Sequence, residues 1–321
     1  MPTTKPGQTI LVTGATGFIG GAVTRLLLAS GYQVIGLAHN PGRARELDRL
    51  GARVAEADMR SPETFESLVA QADAVVHAAQ LKIRRPISAG RVRRMAAADE
   101  VMTSALARAC SAQEKRFLYT SGCFIYGDHP DEWITEETTV TPSPLGAYHA
   151  VQVSRLRGWD TPLDVVIACL AFVYGPGGTF KTAFYDMAMK NRMRCIGSGA
   201  NHWSCLHVDD AASGFLAMLE HGDSGEVYNL SDNHPLPLRE FVDRICAAMG
   251  KPRAGGLPPV ITGLVAGRPV VASLITSYRV ANAKARDQLG WSPSYPTVAE
   301  GLPPTVAALD AARKSGVAPG H

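Results

Sequence analysis

Ile10-Leu11-Val12-Thr13-Gly14-Ala15-Thr16-Gly17-Phe18-Ile19-Gly20 reads as a buried strand, a tight turn and the opening of a helix. Gly14 permits the turn, Gly17 lets backbone N–H groups approach a pyrophosphate, and Gly20 lets the helix pack on the strand. The positive end of the helix then faces the phosphate. A glycine triplet alone often serves a turn and nothing more. Here it joins an N-terminal strand to a helix inside a βαβ pattern, the context that makes it a dinucleotide-binding signal.

The same alternation runs outward from this stretch. Short apolar runs at 9–13, 33–37, 53–55, 74–77, 117–120 and 165–168 read as buried strands. Amphipathic helices are expected between them at 18–30, 42–50, 62–70, 91–111 and 144–157, with Gly31 and Gly158 where helices end. Strands alternating with helices specify a Rossmann-like, doubly wound parallel α/β sheet. Residues 1–170 are expected to form the dinucleotide-binding domain, and 171–321 a smaller substrate-binding portion. A late helix is expected over 237–249, and residues 206–230 are expected to return to the main sheet. The apolar stretch 255–276 is broken by Pro258, Pro259, Arg268 and Pro269, so it reads as a cover over an apolar pocket rather than a membrane span.

The 321 residues are 46% hydrophobic and 19% charged, a globular balance, and the net charge of +3 gives no reason to expect nucleic acid or an anionic membrane as partner. Six cysteines (110, 123, 169, 195, 205 and 246) form no CxxC pair, which argues against a zinc ribbon or a disulfide framework. Reduced thiols, with no apolar run after a basic start, fit a cytoplasmic protein without a signal peptide. A small-molecule substrate is the expected partner, no metal is expected, and a homodimer is a candidate assembly.

Two positions bear on the cofactor. No acid follows the second strand to accept the ribose hydroxyls of NAD. His39, Arg43 and Arg45 cluster there instead and suit a 2′-phosphate, so NADP is expected over NAD, although a solvated basic helix start reads almost as well. Asp58, beside Met59 after the third strand, would meet the adenine edge or cap a helix.

With these residues in place the chain resembles the extended short-chain dehydrogenase/reductase superfamily, of the NAD-dependent epimerase/dehydratase type. The resemblance rests on Thr13–Gly20, on Ala74-Val75-Val76-His77-Ala78-Ala79, on Val173-Tyr174-Gly175-Pro176-Gly177 and on His207-Val208-Asp209-Asp210-Ala211. Gly225–Leu230 and Leu289-Gly290-Trp291 extend it over almost the whole chain. It implies that the glycine loop (Gly14, Thr16, Gly17, Phe18, Ile19, Gly20), Ala78, Ala79 and Val173 border the cofactor. It also implies an active site of a Tyr-x-x-x-Lys pair, a hydroxyl ending the fifth strand and an Asn on the preceding helix.

Three of those four groups differ here. Tyr148 stands in place, but the lysine position is Gln152, the hydroxyl position is Gly122, and the helix Asn corresponds to Asp99. Tyr148 and Gln152 share a helix face at i,i+4. Glutamine can still bond a ribose but brings no charge to lower the tyrosine pKa. A tyrosine near pKa 10 is only about 0.1% ionised at neutral pH, a poor base but a usable acid. Ser121 should point to the opposite face from Gly122, whereas Thr120 should point the same way as Gly122 but from deeper in the sheet. Cys123 is a candidate nucleophile, although a buried strand-end cysteine is more often inert. His149, adjacent to Tyr148, is expected on a different face. Trp203 occupies the place of a diphosphate-gripping arginine and reads either as a contact for an apolar or ring-bearing substrate or as core; Phe180, Phe184 and Tyr185 are open in the same way. The expected activity is an NAD(P)-dependent oxidoreductase acting on a small carbonyl or alcohol, with Tyr148 as proton donor. A non-redox isomerase, cyclase or lyase on the same fold is the alternative, and a non-catalytic ligand-sensing module a third.

Overall fold

The computed structural model describes residues 4–38, 45, 47–58, 60–81 and 87–315. The first strand, β1 (Thr9–Thr13), carries Ile10, Leu11 and Val12 with no exposed surface, as a central strand covered on both faces must. Helix α1 (Phe18–Ala29) follows directly and ends as Gly31 turns the chain at φ +84°. After it come β2 (Gln33–Ala38), β3 (Arg53–Glu56) and β4 (Ala74–His77). A long helix, α2 (Ala89–Ala112), is capped by Ser88, whose hydroxyl accepts the Arg91 N–H. Next are β5 (Arg116–Gly122), α3 (Ala147–Arg157) and β6 (Val165–Leu170), then the short β7 (Phe172–Tyr174) and β8 (Cys205–His207). Helix α4 (Val208–His221) leads to β9 (Val227–Leu230) and α5 (Leu238–Ala248). Helices α6 (Pro259–Ala266) and α7 (Arg268–Leu274) follow, and α8 (Val298–Ser315) closes the described residues.

Seven strands form one parallel sheet in the order β9-β6-β5-β4-β1-β2-β3. The order reverses between β1 and β4, so a crevice opens at their carboxyl ends. Ligands of doubly wound sheets bind at such a switch point. The glycine loop leaves β1 there, and residues 78–80 leave β4 there.

Small residues explain why α1 lies so close to the sheet. Its buried face includes Gly20, Gly21 and Ala22 and packs on α4. At the far end of β5 a buried ion pair, Arg116 with Asp164 at 2.9 Å, anchors the start of the strand, and Arg116 also donates to the Met218 carbonyl of α4.

Three expected elements differ in detail. The helix expected at 62–70 is a 3-10 turn (Pro62–Thr64) followed by Glu66–Val69, because Phe65 leaves helical geometry at φ −135° to bury its ring completely. The helix expected from 144 starts at Ala147, after a turn in which Gly146 donates to the Ser143 carbonyl. Of 206–230, β9 joins the main sheet on β6, whereas Leu206 does not: β8 pairs with β7 in a sheet of two strands. The helix expected over 42–50 lies partly outside the described residues.

Candidate active site

The glycine loop is built by contact with the strand beside it. Gly14 turns at φ +68°, and a Cβ there would lie 2.7 Å from the Ala78 carbonyl oxygen and 2.8 Å from Ala79 Cα. A Cβ on Gly20 would lie 2.3 Å from the Gly14 oxygen. Neither position has room for any side chain. Below them His77 is a buried staple, with Nδ1 2.7 Å from the Thr13 hydroxyl and Nε2 3.0 Å from the Thr103 hydroxyl. The Ala79 N–H donates to the same Thr13 oxygen, which leaves the Thr13 proton for Nδ1. Burial drives the His77 pKa down to about 3, so the ring is neutral.

Helix α1 opens with no side-chain cap and no acid in its first turn. Its positive end is therefore left for an external anion. Phe18 sits at that end against the 175–178 loop, where Cβ atoms on Gly175 and Gly178 would strike its ring. That loop follows the half-buried Val173. The uncapped helix end, the closely approached glycines and a buried, unpartnered Gln152 Oε1 beyond them together fit a dinucleotide with its ribose near Gln152.

Across the crevice α3 places Tyr148 and Gln152 on one buried face. Burial pushes the Tyr148 phenol well above its ordinary pKa, with the charge of Asp99 adding to the rise; a hydrogen bond from Gln80 opposes it. Gln80 Nε2 donates to the Tyr148 oxygen. His149 Nε2 lies 3.5 Å from the same nitrogen, and the two rings are 4.1 Å apart at their centroids. His149 Nδ1 lies 2.8 Å from the Tyr119 hydroxyl, which is 3.1 Å from Asp99 Oδ2. Burial lowers His149 to about 4 and raises Asp99 to about 7. A continuous chain thus runs Asp99, Tyr119, His149, Gln80, Tyr148.

His149 is the one residue of this chain whose expected orientation was different. Adjacent helix positions diverge by about 100°, yet both rings stand in the first turn of α3, where Gln80 from the loop after β4 meets them together. Gln80 and Tyr119 carry no motif of their own. The signals were indirect: Gln80 directly follows Ala78-Ala79, and Tyr119 lies two before Ser121 on the strand facing α2 and α3.

The remaining candidates separate clearly. Gly122 has extended backbone, and an added Cβ would meet only the Leu170 carbonyl oxygen, at 3.7 Å. Ser121 Oγ and Thr120 Oγ1 are buried without partners. Cys123 is sealed in the core, its sulfur 3.7 Å from that of Cys169, and burial holds its thiol far above the reactive range. Asp58 accepts the Arg60 N–H at 2.9 Å and pairs with the Arg60 guanidinium at 2.6 Å, holding the turn after β3. His39, Arg43 and Met59 lie outside the described residues.

Of the two readings open for Trp203, the structure gives the core. Trp203 is 1% exposed, packs among Phe172, Phe184, Phe241 and Tyr278, and donates Nε1–H to the Leu274 carbonyl. Phe180 and Tyr185 are buried and Phe184 packs on Phe180, so this stretch also fills the interior. The 255–276 segment lies beside the crevice. The Ile87 N–H donates to the Ala266 carbonyl, and the Leu145 N–H to the Ser273 hydroxyl. Its helix α6 exposes Val260, Leu264 and Val265 by 79, 75 and 71%, a largely uncovered apolar surface. Among the described residues no helix is long and apolar enough to cross a membrane, and no cluster could hold a metal ion.

The model of the NAD dependent epimerase/dehydratase family matches residues 10–231. The chain is 31% identical over 258 residues to a 2-alkyl-3-oxoalkanoate reductase of Stenotrophomonas maltophilia (strain K279a), covering 76% of each chain. It is 29% identical to a 3-diazoavenalumate denitrifying reductase of a Streptomyces species, covering 91% of this chain and 98% of that one. A solved dTDP-glucose 4,6-dehydratase from Streptomyces venezuelae, with NAD and TYD bound, superposes with a TM-score of 0.82 at 24% identity, over 96% of this chain and 98% of the other. That likeness establishes the fold.

Proposed function

The chain belongs to the NAD dependent epimerase/dehydratase family, and on that premise we propose that it is a reductase of a small apolar or ring-bearing carbonyl compound. Its cofactor in this reading is NADP(H), with NAD(H) second. The observation that carries the reading is the bond from Gln80 to the Tyr148 oxygen. The phenol oxygen accepts there, which leaves the phenol proton to be donated into the crevice. A nicotinamide held there would supply the hydride. Tyr148 gives its proton to the carbonyl oxygen, and Gln80 steadies the phenolate that remains. The raised Tyr148 pKa agrees with an acid and not with a base that would oxidise an alcohol at neutral pH.

Gly14, Thr16, Gly17, Phe18, Ile19 and Gly20 would hold the diphosphate, with Ala78 and Ala79 bordering it, and Gln152 Oε1 would be free to accept from the nicotinamide ribose. The space at Gly122 is left to substrate. Residues 1–170 hold the cofactor and 171–321 shape the substrate side, with the apolar α6 beside the crevice. Of the two similar reductases, the printed name of one, a 2-alkyl-3-oxoalkanoate reductase, suits such a carbonyl. A cytoplasmic site of action and a homodimer complete the reading.

The test follows NADPH and NADH absorbance with a 2-alkyl-3-oxoalkanoate as carbonyl. Consumption of NADPH, faster than of NADH, is the expected result. The missing Lys and hydroxyl favour a second reading, a non-redox isomerase, cyclase or lyase. Turnover seen by mass spectrometry without cofactor consumption would establish that one instead.

A further inference from the structure

We propose that Gln80 sets the direction of the Tyr148 hydroxyl, and that Asp99, Tyr119 and His149 are positioning residues that hold the Gln80 amide with its nitrogen toward the phenol. The proposal rests on the reading of Tyr148 as proton donor and adds how that donor is kept the right way round.

Each link constrains the next. The Asp99 carboxylate accepts the Tyr119 O–H at 3.1 Å. The Tyr119 oxygen then has only lone pairs to offer His149 Nδ1, 2.8 Å away, so Nδ1 must carry the hydrogen. A neutral imidazole with hydrogen on Nδ1 has a bare lone pair on Nε2. That lone pair calls for a donor, and the group 3.5 Å from it is the Gln80 amide, which must present nitrogen and not oxygen. The second hydrogen of the same NH₂ meets the Tyr148 oxygen. No proton crosses the amide; it supplies two hydrogen bonds of fixed direction. The Tyr148 hydrogen cannot be captured by Gln80 and is left for substrate.

Breaking the chain at its buried end reverses it. Without the Tyr119 hydroxyl, His149 is free to carry its hydrogen on Nε2, which attracts Gln80 Oε1. The rotated amide then accepts from Tyr148 and competes with the substrate carbonyl for the phenol proton. The buried links Asp99 and Tyr119 touch no reacting atom; their effect reaches Tyr148 through His149 and Gln80.

Nitrogen-15 NMR of ring-labelled histidine, with His149 identified by its absence in His149→Gln, reads the tautomer in the wild-type chain. The expected state is hydrogen on Nδ1, changing to Nε2 in Tyr119→Phe. Hydrogen on Nε2 in the wild type overturns the proposal without any variant. The kinetic arm uses NADPH and a 2-alkyl-3-oxoalkanoate. Gln80→Glu, which can only accept, should lower kcat by about tenfold or more with KM little changed, and Tyr119→Phe should do so to a lesser degree. Wild-type kcat in both variants, while Tyr148→Phe is inactive, sinks this proposal and leaves the proton-donor reading intact. Full activity of Tyr148→Phe removes that reading itself. If the wild type does not turn this carbonyl over, the tautomer measurement decides alone.

Discussion

The two walls of the crevice have been treated differently. The β1–α1 wall is the family's glycine loop with nothing changed, and its glycines are locked by backbone: no Cβ fits at Gly14 or Gly20. On the opposite wall, built by β5 and α3, Tyr148 alone matches the four groups that the family resemblance implies. A phosphate site made of backbone N–H groups has no side chain to exchange, so a sequence can keep it or lose it but scarcely alter it. A proton-transfer site made of side chains can be rewired, because one polar partner can take the place of another. Here the rewiring runs through Gln80, His149, Tyr119 and Asp99.

The sharpest attack on this contrast is Tyr148→Phe. It should reduce kcat by roughly two to four orders of magnitude while cofactor affinity holds, as steady-state kinetics and calorimetry would register. On the other wall, Gly17→Leu should weaken cofactor binding by about a hundredfold or more because the side chain would occupy the diphosphate space. Gly17 has φ −85°, and its added Cβ meets only the Gly14 oxygen, at 3.0 Å, so circular dichroism should still report a folded chain. Unchanged affinity would detach the glycine loop from cofactor binding.

Asp99→Asn should act on stability through pH. Folding raises this carboxyl from 3.8 to about 7, chiefly by burial and also by the nearby Glu100, so the folded state holds a proton that the unfolded chain has released. Stability from this group is full below about pH 4 and is lost as pH climbs to about 7. Above that the ionised, buried Asp99 faces Tyr119 of β5, with His149 of α3 beyond it. The Asn variant should therefore be the more stable protein at pH 8, by an amount on the order of a few kcal/mol, and should lose this advantage near pH 4 in denaturant titrations. The smallest effect is expected for Gly122→Ser, within about 0.5 kcal/mol of wild type, because the backbone is extended and the space is open. A large destabilisation there would mean that the gap has a structural purpose.

The parallel sheet was legible because its strands are built around short apolar runs between helical periods, and six of its seven strands lie where those runs do. Tyr148 and Gln152 were legible because four residues on a helix always share a face. The partners of Tyr148 were not. Gln80 comes from a loop 68 residues away, and its role depends on a side-chain bond that no periodicity encodes. Trp203 was open between ligand contact and core, and burial decides for core. Matching it to a family position suggested a ligand contact, whereas an indole amid Phe172, Phe241 and Tyr278, with its N–H satisfied by a carbonyl, is interior. The 62–70 helix was overread because local propensity ignores the pull of one large buried ring, Phe65.

The neutral histidine staple beneath the glycine loop has a consequence for how the whole chain meets acid. Folding takes His77 from 6.5 to about 3 and His149 to about 4, while Asp99 and Asp232 rise from 3.8 to about 7. Between about pH 4.5 and 6 the unfolded chain carries protons on these two imidazoles, and the folded chain carries them on the two carboxyls instead. Folding in that window moves protons from nitrogen to oxygen without taking up or releasing any from these four groups. Their combined contribution to the slope of stability against pH is close to zero there, although each alone would tilt it. Among these four groups the protons are exchanged internally, and removal of either buried carboxyl would expose the histidines' slope.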